Sequence, residues 1–147
     1  MSDETLCFVD SNIWLYMLLP GQDEQKSRLA KQLIRTNESQ IVLSTQVVNE
    51  VINTILRHGV LNEAEIRALI SRFYARYSVS PITESIQSQA SHLRDVYSLS
   101  HWDSLIVATG LKAQAVVLYT EDMHDGLIVN NQLEIVNPFV REYQSNL

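Results

Sequence analysis

The feature that most constrains the fold is a repeated alternation between short apolar runs and longer amphipathic segments. The strand-like runs lie at residues 6–9, 41–43, 78–82, 116–119 and 133–136, and helical periodicity occupies residues 12–19, 23–35, 45–58, 63–77, 84–97 and 100–114. Strands separated by helices need crossover connections, which favour a parallel sheet. Runs without polar alternation are typical of strands covered on both faces. We therefore predict a three-layer α/β/α sandwich around a mostly parallel sheet of four to five short strands.

Length and composition narrow the class of protein further. A chain of 147 residues with 46% hydrophobic and 19% charged residues is expected to form one globular domain spanning 1–147. Its longest apolar run, residues 13–19, is far shorter than the roughly 20 residues of a membrane helix. The lone Cys7 excludes an internal disulfide, and the acidic start lacks the basic region of a signal peptide. We therefore expect a cytoplasmic protein without membrane association.

Four acidic residues fall where an open parallel sheet can bring them together. Asp10 directly follows the first predicted strand, and Asp122 follows the strand that ends near Thr120. Glu50 lies two turns into the helix after the second strand, and Asp103 lies in the first turn of a later helix. Ligand sites in such sheets lie outside the carboxyl ends of the strands. We therefore expect the four carboxylates to converge at that edge.

Each of these acids also has a purely structural interpretation. Asp103 is spaced to complete a capping box with Ser100, and Asp10 is placed to cap the helix that begins near residue 12. Glu50 has the position of a solvated helix acid, and Asp122 lies in a turn-like segment. Their shared location, rather than any one residue, indicates a functional site.

Converging carboxylates require a compensating partner. Two of them 4 Å apart repel by about 4 kcal/mol at an effective dielectric of 20. Hard divalent cations with oxygen ligands, such as Mg²⁺, suit such a group, whereas the four histidines lack the spacing of a zinc site. Carboxylate-held metal ions promote phosphodiester hydrolysis. The net charge of −6 disfavours nucleic-acid binding, and two divalent ions would reduce it to −2.

The order and surroundings of these acids resemble the PIN domain, in the form found in VapC-like toxins of toxin–antitoxin pairs. The elements that carry the resemblance are FVDSN at 8–12, STQVVNE at 44–50, WDSLIVAT at 102–109, LYTED at 118–122 and NPF at 137–139. Together they cover nearly the whole chain. The resemblance implies a metal-dependent endoribonuclease.

The resemblance also implies particular residues and partners. The implied catalytic and metal-binding acids are Asp10, Glu50, Asp103 and Asp122, with Ser11, Asn12 and Thr120 supporting them or contacting phosphate, and with Asp125 as an alternative to Asp122. One or two Mg²⁺ or Mn²⁺ ions would be the cofactor. RNA would be the substrate, a small antitoxin the protein partner, and a homodimer the assembly.

Three other kinds of protein remain open at this point. The first is a PIN nuclease that acts in RNA processing, which would share every motif with a toxin. The second is a receiver-like signalling domain, which would also have acids at strand ends, although no Lys follows the 116–120 strand as a receiver requires. The third is a non-catalytic interaction module. A nucleophilic serine is disfavoured because the chain has no Gly-x-Ser-x-Gly motif.

Aromatic residues and histidines near the acids receive structural interpretations. Trp14, Tyr16 and Trp102 could stack on bases or face an antitoxin helix, but we favour the interpretation that they are core residues. His101 and His124 border the predicted site and could contact phosphate, but we favour the interpretation that they are surface residues.

Overall fold

The computed structural model describes residues 5–140. Its strands are β1 (Cys7–Val9), β2 (Ile41–Ser44), β3 (Ser78–Ser80), β4 (Val117–Tyr119), β5 (Ile128–Val129) and β6 (Leu133–Val136). Its helices are α1 (Ser11–Leu18), α2 (Glu24–Thr36), α3 (Thr45–His58), α4 (Glu63–Arg76), α5 (Glu84–Val96) and α6 (His101–Lys112), with a short 3₁₀ turn at Glu38–Gln40.

A central, mostly parallel sheet flanked by helices confirms the predicted fold class. The strand order is β3-β2-β1-β4-β6-β5, and only the β5–β6 pair is antiparallel. The sheet has six strands rather than the four to five expected, since β5 was not predicted. This strand has two residues and pairs with β6 across a turn that places Asn130 and Asn131 at positive φ. A two-residue strand is too short to produce a periodic sequence pattern.

The central strand β1 is buried along its whole length, as its apolar sequence predicts. Phe8 and Val9 are fully buried, and burial raises the pKa of the Cys7 thiol to about 11. The thiol therefore stays protonated at neutral pH, in agreement with its interpretation as a small apolar residue.

Trp14 fixes α1 against the sheet and against α4. Its indole Nε1 donates a hydrogen bond to the Val9 carbonyl at 3.1 Å, and its ring meets Phe73 and Tyr77 edge-on with 5.1 Å between centroids. The core interpretation of Trp14 is confirmed. Because α1 starts immediately after β1, this packing also fixes the direction of the chain at Asp10.

Side-chain caps start the helices that follow the strands. The Asp10 carboxylate caps α1, the Ser44 hydroxyl caps α3, and the Ser100 hydroxyl caps α6 by accepting from the Asp103 amide at 3.1 Å. Such caps satisfy backbone amides that the first helical turn leaves unpaired. They fix the start of the helices that carry Glu50 and Asp103. Among residues 5–140, no helix combines the length and apolar character needed to cross a membrane.

Gly59 ends α3 in the left-handed conformation, with φ at +63°, and its amide donates to the carbonyl of Ile55. A Cβ at this position would meet no atom within 4 Å, so only the backbone conformation opposes a side chain. We expect Gly59→Ala to lower the free energy of unfolding by about 1 kcal/mol, and Gly59→Asn to cost less because Asn tolerates this region. Urea denaturation measures both. Equal stability of all three proteins would contradict the assignment of Gly59 as the helix stop.

Candidate active site

Asp10 occupies the centre of the candidate site, at the end of β1. Its Oδ1 accepts a hydrogen bond from the Ser11 amide at 2.8 Å. Its Oδ2 accepts from the Thr120 hydroxyl at 2.8 Å and from Asn12 Nδ2 at 3.4 Å. Only 6% of the residue is exposed. The carboxylate is therefore held rigidly between the ends of two neighbouring strands, β1 and β4.

Asn12 links the two strand ends. Its Nδ2 lies 2.9 Å from Asp122 Oδ2 and 3.2 Å from Thr120 Oγ1, in addition to its contact with Asp10. Its Oδ1 accepts from the Glu121 amide at 3.2 Å. One neutral side chain therefore holds Asp122 beside Asp10 without supplying a positive charge.

Glu50 reaches the site from α3 and has both oxygens bound. Oε2 accepts from the Ser11 hydroxyl at 2.7 Å, and Oε1 accepts from Gln46 Nε2 at 3.1 Å. Gln46 lies one helical turn before Glu50, a spacing that places their side chains on the same face. The orientation of the Glu50 carboxylate is therefore fixed from two sides.

The pKa shifts of Asp10 and Asp103 indicate that each of them interacts with the charges of Glu50 and Asp122. Burial is the main cause that raises the pKa of Asp10 to about 6; hydrogen bonds from Thr120 and Ser11 oppose the shift, and the charges of Glu50 and Asp122 add to it. Burial also raises the pKa of Asp103, against a hydrogen bond with the Ser100 side chain. The charges of Asp122 and Glu50 again raise it further. The four predicted acids thus share one region.

No basic side chain compensates these charges in the part of the chain that the structure describes. The ion pairs found there are Lys26–Glu121 and Arg76–Glu38, and neither includes the four acids. Carboxylate oxygens that lack a cationic partner are suitable ligands for Mg²⁺ or Mn²⁺.

The spacing of the acids limits the kind of metal site that they can form. Between residues 5 and 140, no three His, Cys, Asp or Glu side chains stand close enough to bind one ion together. Magnesium retains several waters and commonly takes only one or two protein carboxylates. The arrangement therefore fits a hydrated ion at an open site and does not fit a closed metal cage.

The two candidates for the fourth acid have different surroundings. Asp122 is exposed and touches Asn12, whereas Asp125 Oδ1 accepts from the Asn137 amide at 2.8 Å and holds the chain just after β6. The geometry thus favours Asp122 as the member of the acidic group.

Several residues near the site differ from their sequence interpretation or were not predicted. Trp102 is 62% exposed, so its interpretation as a core residue is wrong; it lies in the first turn of α6, before the buried stretch of that helix begins. Tyr16 is only partly buried, and its hydroxyl donates to Glu121 at 2.8 Å. His101 and His124 are exposed, as predicted. Gln46 was missed, although its position four residues before Glu50 was a usable signal.

Thr120 is fully buried and connects three groups of the site. It donates to Asp10 and accepts from Asn12 and from the Asp122 amide at 3.2 Å.

We expect Thr120→Val to lower the free energy of unfolding by about 1–3 kcal/mol, because it leaves buried polar groups unpaired. It should also raise the pKa of Asp10 further. Denaturation at pH 7.5 and a carboxyl NMR titration measure these effects, with Thr120→Ser as the control that keeps the hydroxyl. Wild-type values for Thr120→Val would contradict this role.

The chain matches one protein-family model and is similar in fold to several solved structures. A family model described as PIN domain matches residues 7–124. No curated protein sequence matches the chain. The sarcin–ricin-loop-cleaving toxin VapC20 of Mycobacterium tuberculosis is similar in structure, with a TM-score of 0.65 and 21% identity over 79% of this chain and 89% of that chain.

Two solved complexes contain chains of similar fold. A chain of a toxin–antitoxin complex from Klebsiella pneumoniae has a TM-score of 0.67 and 21% identity, over 90% of this chain and 97% of that chain. A chain of VapBC2 from Rickettsia felis, solved with promoter DNA, has a TM-score of 0.61 and 18% identity, over 90% of this chain and 100% of that chain. At these identities the likeness extends to the fold alone.

Proposed function

Because this chain belongs to the PIN domain family, we propose that it is a metal-dependent endoribonuclease and the toxin of a toxin–antitoxin pair. The observation that carries the proposal is the meeting of four acids from β1, α3, α6 and the end of β4, without a basic partner among the described residues. A group of this kind is costly to a folded domain unless it serves to bind a cation.

In the proposed mechanism, Asp10, Asp103 and Asp122 would hold one or two hydrated Mg²⁺ or Mn²⁺ ions, each ion taking at most two of these carboxylates directly and water as its other ligands. Glu50 would bind an ion or orient the attacking water. When bound, the metal would supply Lewis-acid activation of water and stabilisation of the leaving oxygen. Water attacks phosphorus in line and the P–O bond to the leaving oxygen breaks, so no covalent intermediate with the enzyme forms.

Hydrogen bonds within the chain hold Glu50 in place and favour the ionised form of Asp10. Ser11 and Gln46 each hold one oxygen of Glu50, so that side chain does not have to reorient during the reaction. The hydrogen bond from Thr120 opposes the raised pKa of Asp10, which at about 6 leaves the carboxylate mostly ionised above pH 7. Preorganised charge is more effective than charge that must be rearranged.

The proposed partners rest on the similar solved structures. Two of these are toxin–antitoxin complexes, and their folds cover most of this chain. We therefore include a small antitoxin that covers the acidic site, a homodimer and a cytoplasmic location in the proposal. An adjacent gene for a small DNA-binding protein would favour the toxin over a PIN nuclease of RNA processing.

A cleavage assay tests the proposed activity. Purified protein is incubated with total RNA and with tRNA in Mg²⁺, in Mn²⁺ and in EDTA. We expect discrete cleavage products with metal and none in EDTA. Intact RNA under all conditions would reject the nuclease and favour a non-catalytic module, and incorporation of phosphate from acetyl phosphate would favour a receiver-like domain.

A further inference from the structure

A cleft bordered by α3, α5 and α6 opens beside Glu50, and the proposed mechanism assigns no part of the substrate to it. Its volume is about 620 Å³, within the range of roughly 300–1,000 Å³ typical of small-molecule sites. Its lining includes the Glu50 carboxylate and the rings of His101 and Trp102. It also includes the carboxamides of Gln46, Asn49, Asn53 and Gln87. No Lys or Arg is part of this lining, so the cleft is unsuited to phosphate.

Gln46 has a buried hydrogen-bond acceptor without a partner beneath the wall of this cleft. More than nine-tenths of the residue is buried, and its Oε1 has no partner within the described part of the chain. Its Nε2 donates to Glu50 Oε1 at 3.1 Å and to the Trp102 carbonyl at 3.4 Å. Both neighbours are acceptors, so rotating the amide by 180° would set oxygen against oxygen. The free position is therefore an acceptor that lacks a donor.

Trp102 presents its ring at the mouth of the same cleft. It is 62% exposed, and the His101 ring meets it edge-on with 5.0 Å between centroids. Its backbone carbonyl is tied to Gln46, which fixes the start of α6 relative to α3. Exposed aromatic rings of this kind serve as stacking surfaces for unpaired bases.

We propose that this cleft holds one unpaired nucleobase of the RNA strand, stacked on Trp102, with its polar edge toward the exposed carboxamides of Asn49, Asn53 and Gln87. This inference rests on the proposed function and specifies how its substrate is bound. A base is neutral, planar and rich in donors and acceptors, so it can enter beside the negative charge of Glu50 where a phosphate cannot. Proteins that recognise single-stranded RNA combine stacking with hydrogen bonds to base edges in this way.

Intrinsic fluorescence tests the proposal without cleavage. The chain has two tryptophans, of which Trp14 is 1% exposed and Trp102 is 62% exposed, so an added ligand can reach mainly the second. In EDTA, single-stranded oligonucleotides of about ten residues, rA, rC or rU, should quench the emission in a saturable manner. A strand of the same length with abasic sugars should not quench it, and Trp102→Phe should remove the signal.

Cleavage kinetics provide a second readout. Trp102→Ala should raise KM for single-stranded RNA about 10-fold or more and change the positions cut, whereas Trp102→Phe should restore most of the wild-type behaviour. Tyr74→Ala is the matched control, because Tyr74 is an exposed aromatic residue on α4 with 53% exposure. Circular dichroism verifies that each variant is folded.

The outcomes separate this inference from the proposed function. Equal quenching by abasic strands, or unchanged KM and cleavage positions in Trp102→Ala, would overturn the base site while leaving the nuclease intact. A Trp102 emission that changes with protein concentration and not with RNA would assign the cleft to a second copy of the chain and would also overturn it. Base-dependent quenching without any cleavage would support the base site and reject the nuclease.

Discussion

Asp103→Asn is expected to lower the rate of metal-dependent RNA cleavage about 10³-fold, an effect of several kcal/mol on the transition state. The substitution keeps the size of the side chain and leaves the backbone amide that Ser100 caps. It removes one negative charge from the group in which Asp122 and Glu50 already interact with Asp103. The loss is therefore expected in the chemistry rather than in folding. Initial rates on one RNA, with saturating Mg²⁺ or Mn²⁺, measure it.

Asp95→Asn is the matched control for this experiment. Asp95 is an exposed acid near the end of α5, so the same substitution changes the net charge equally. We expect wild-type cleavage by this variant. Full activity of Asp103→Asn would remove Asp103 from the site, whereas equal losses in both variants would indicate a general charge effect instead of a metal-binding role.

Asp10→Asn is expected to stabilise the metal-free protein at neutral and higher pH. The pKa of Asp10 is about 6 in the folded protein, against an ordinary value of 3.8, because burial disfavours the charged form. Below about pH 3.8 the carboxyl is protonated whether the chain is folded or not. As pH rises to about 6, the unfolded chain releases this proton first, so stability falls and then stays low.

The loss of folding stability caused by ionised Asp10 can be calculated from the shift in its pKa. A shift from 3.8 to about 6 corresponds to about 3 kcal/mol at pH 7.5. Asn can still cap α1 with its side-chain oxygen, but its Nδ2 cannot accept the hydrogen bonds that Asp10 Oδ2 accepts from Thr120 and Asn12. We therefore expect a net gain of about 1–2 kcal/mol. For this chain length that corresponds to roughly 2–8 °C in melting temperature. Thermal unfolding in EDTA at pH 4 and pH 7.5 measures it.

The pH dependence of stability tests whether the gain in Asp10→Asn comes from removing the buried charge. The difference in stability between Asp10→Asn and wild type should grow from pH 4 to pH 7.5, while Asp95→Asn should follow wild type at both. Adding Mg²⁺ should raise the melting temperature of wild type more than that of Asp10→Asn, since a cation relieves the repulsion only where the charge is present. A metal-free variant that is less stable at pH 7.5 would make Asp10 a helix cap rather than a cation ligand.

Much of the fold followed from local patterns. The helix that Gly59 ends was predicted to the residue, because a Ser cap, an apolar periodicity and a left-handed glycine are all local signals. The strand β5 was not predicted, since its two residues gain their conformation only by pairing with β6.

The charged residues of the candidate site could be predicted from the sequence, whereas its neutral residues could not. Asp10 stands out in the sequence because it directly follows an apolar strand, and Glu50 because apolar residues surround it in its helix. Gln46 and Trp102 do not stand out: an amide on a helix and a tryptophan beside it are common, and Trp102 was assigned to the core. Their contact joins α3 to α6 over 56 positions of sequence, and no local pattern encodes it.

The alternation of strands and helices, the caps that start the helices and the acids that follow the strand ends could be predicted from the residues alone, because these features depend on neighbours within a few positions. The contacts between distant segments could not: Asn12 bridges Asp10 to Asp122, Ser11 and Gln46 fix Glu50, and Trp102 faces outward over a cleft. Such hydrogen bonds and burial depend on distances between chain segments, which the folded sheet sets and the order of residues does not.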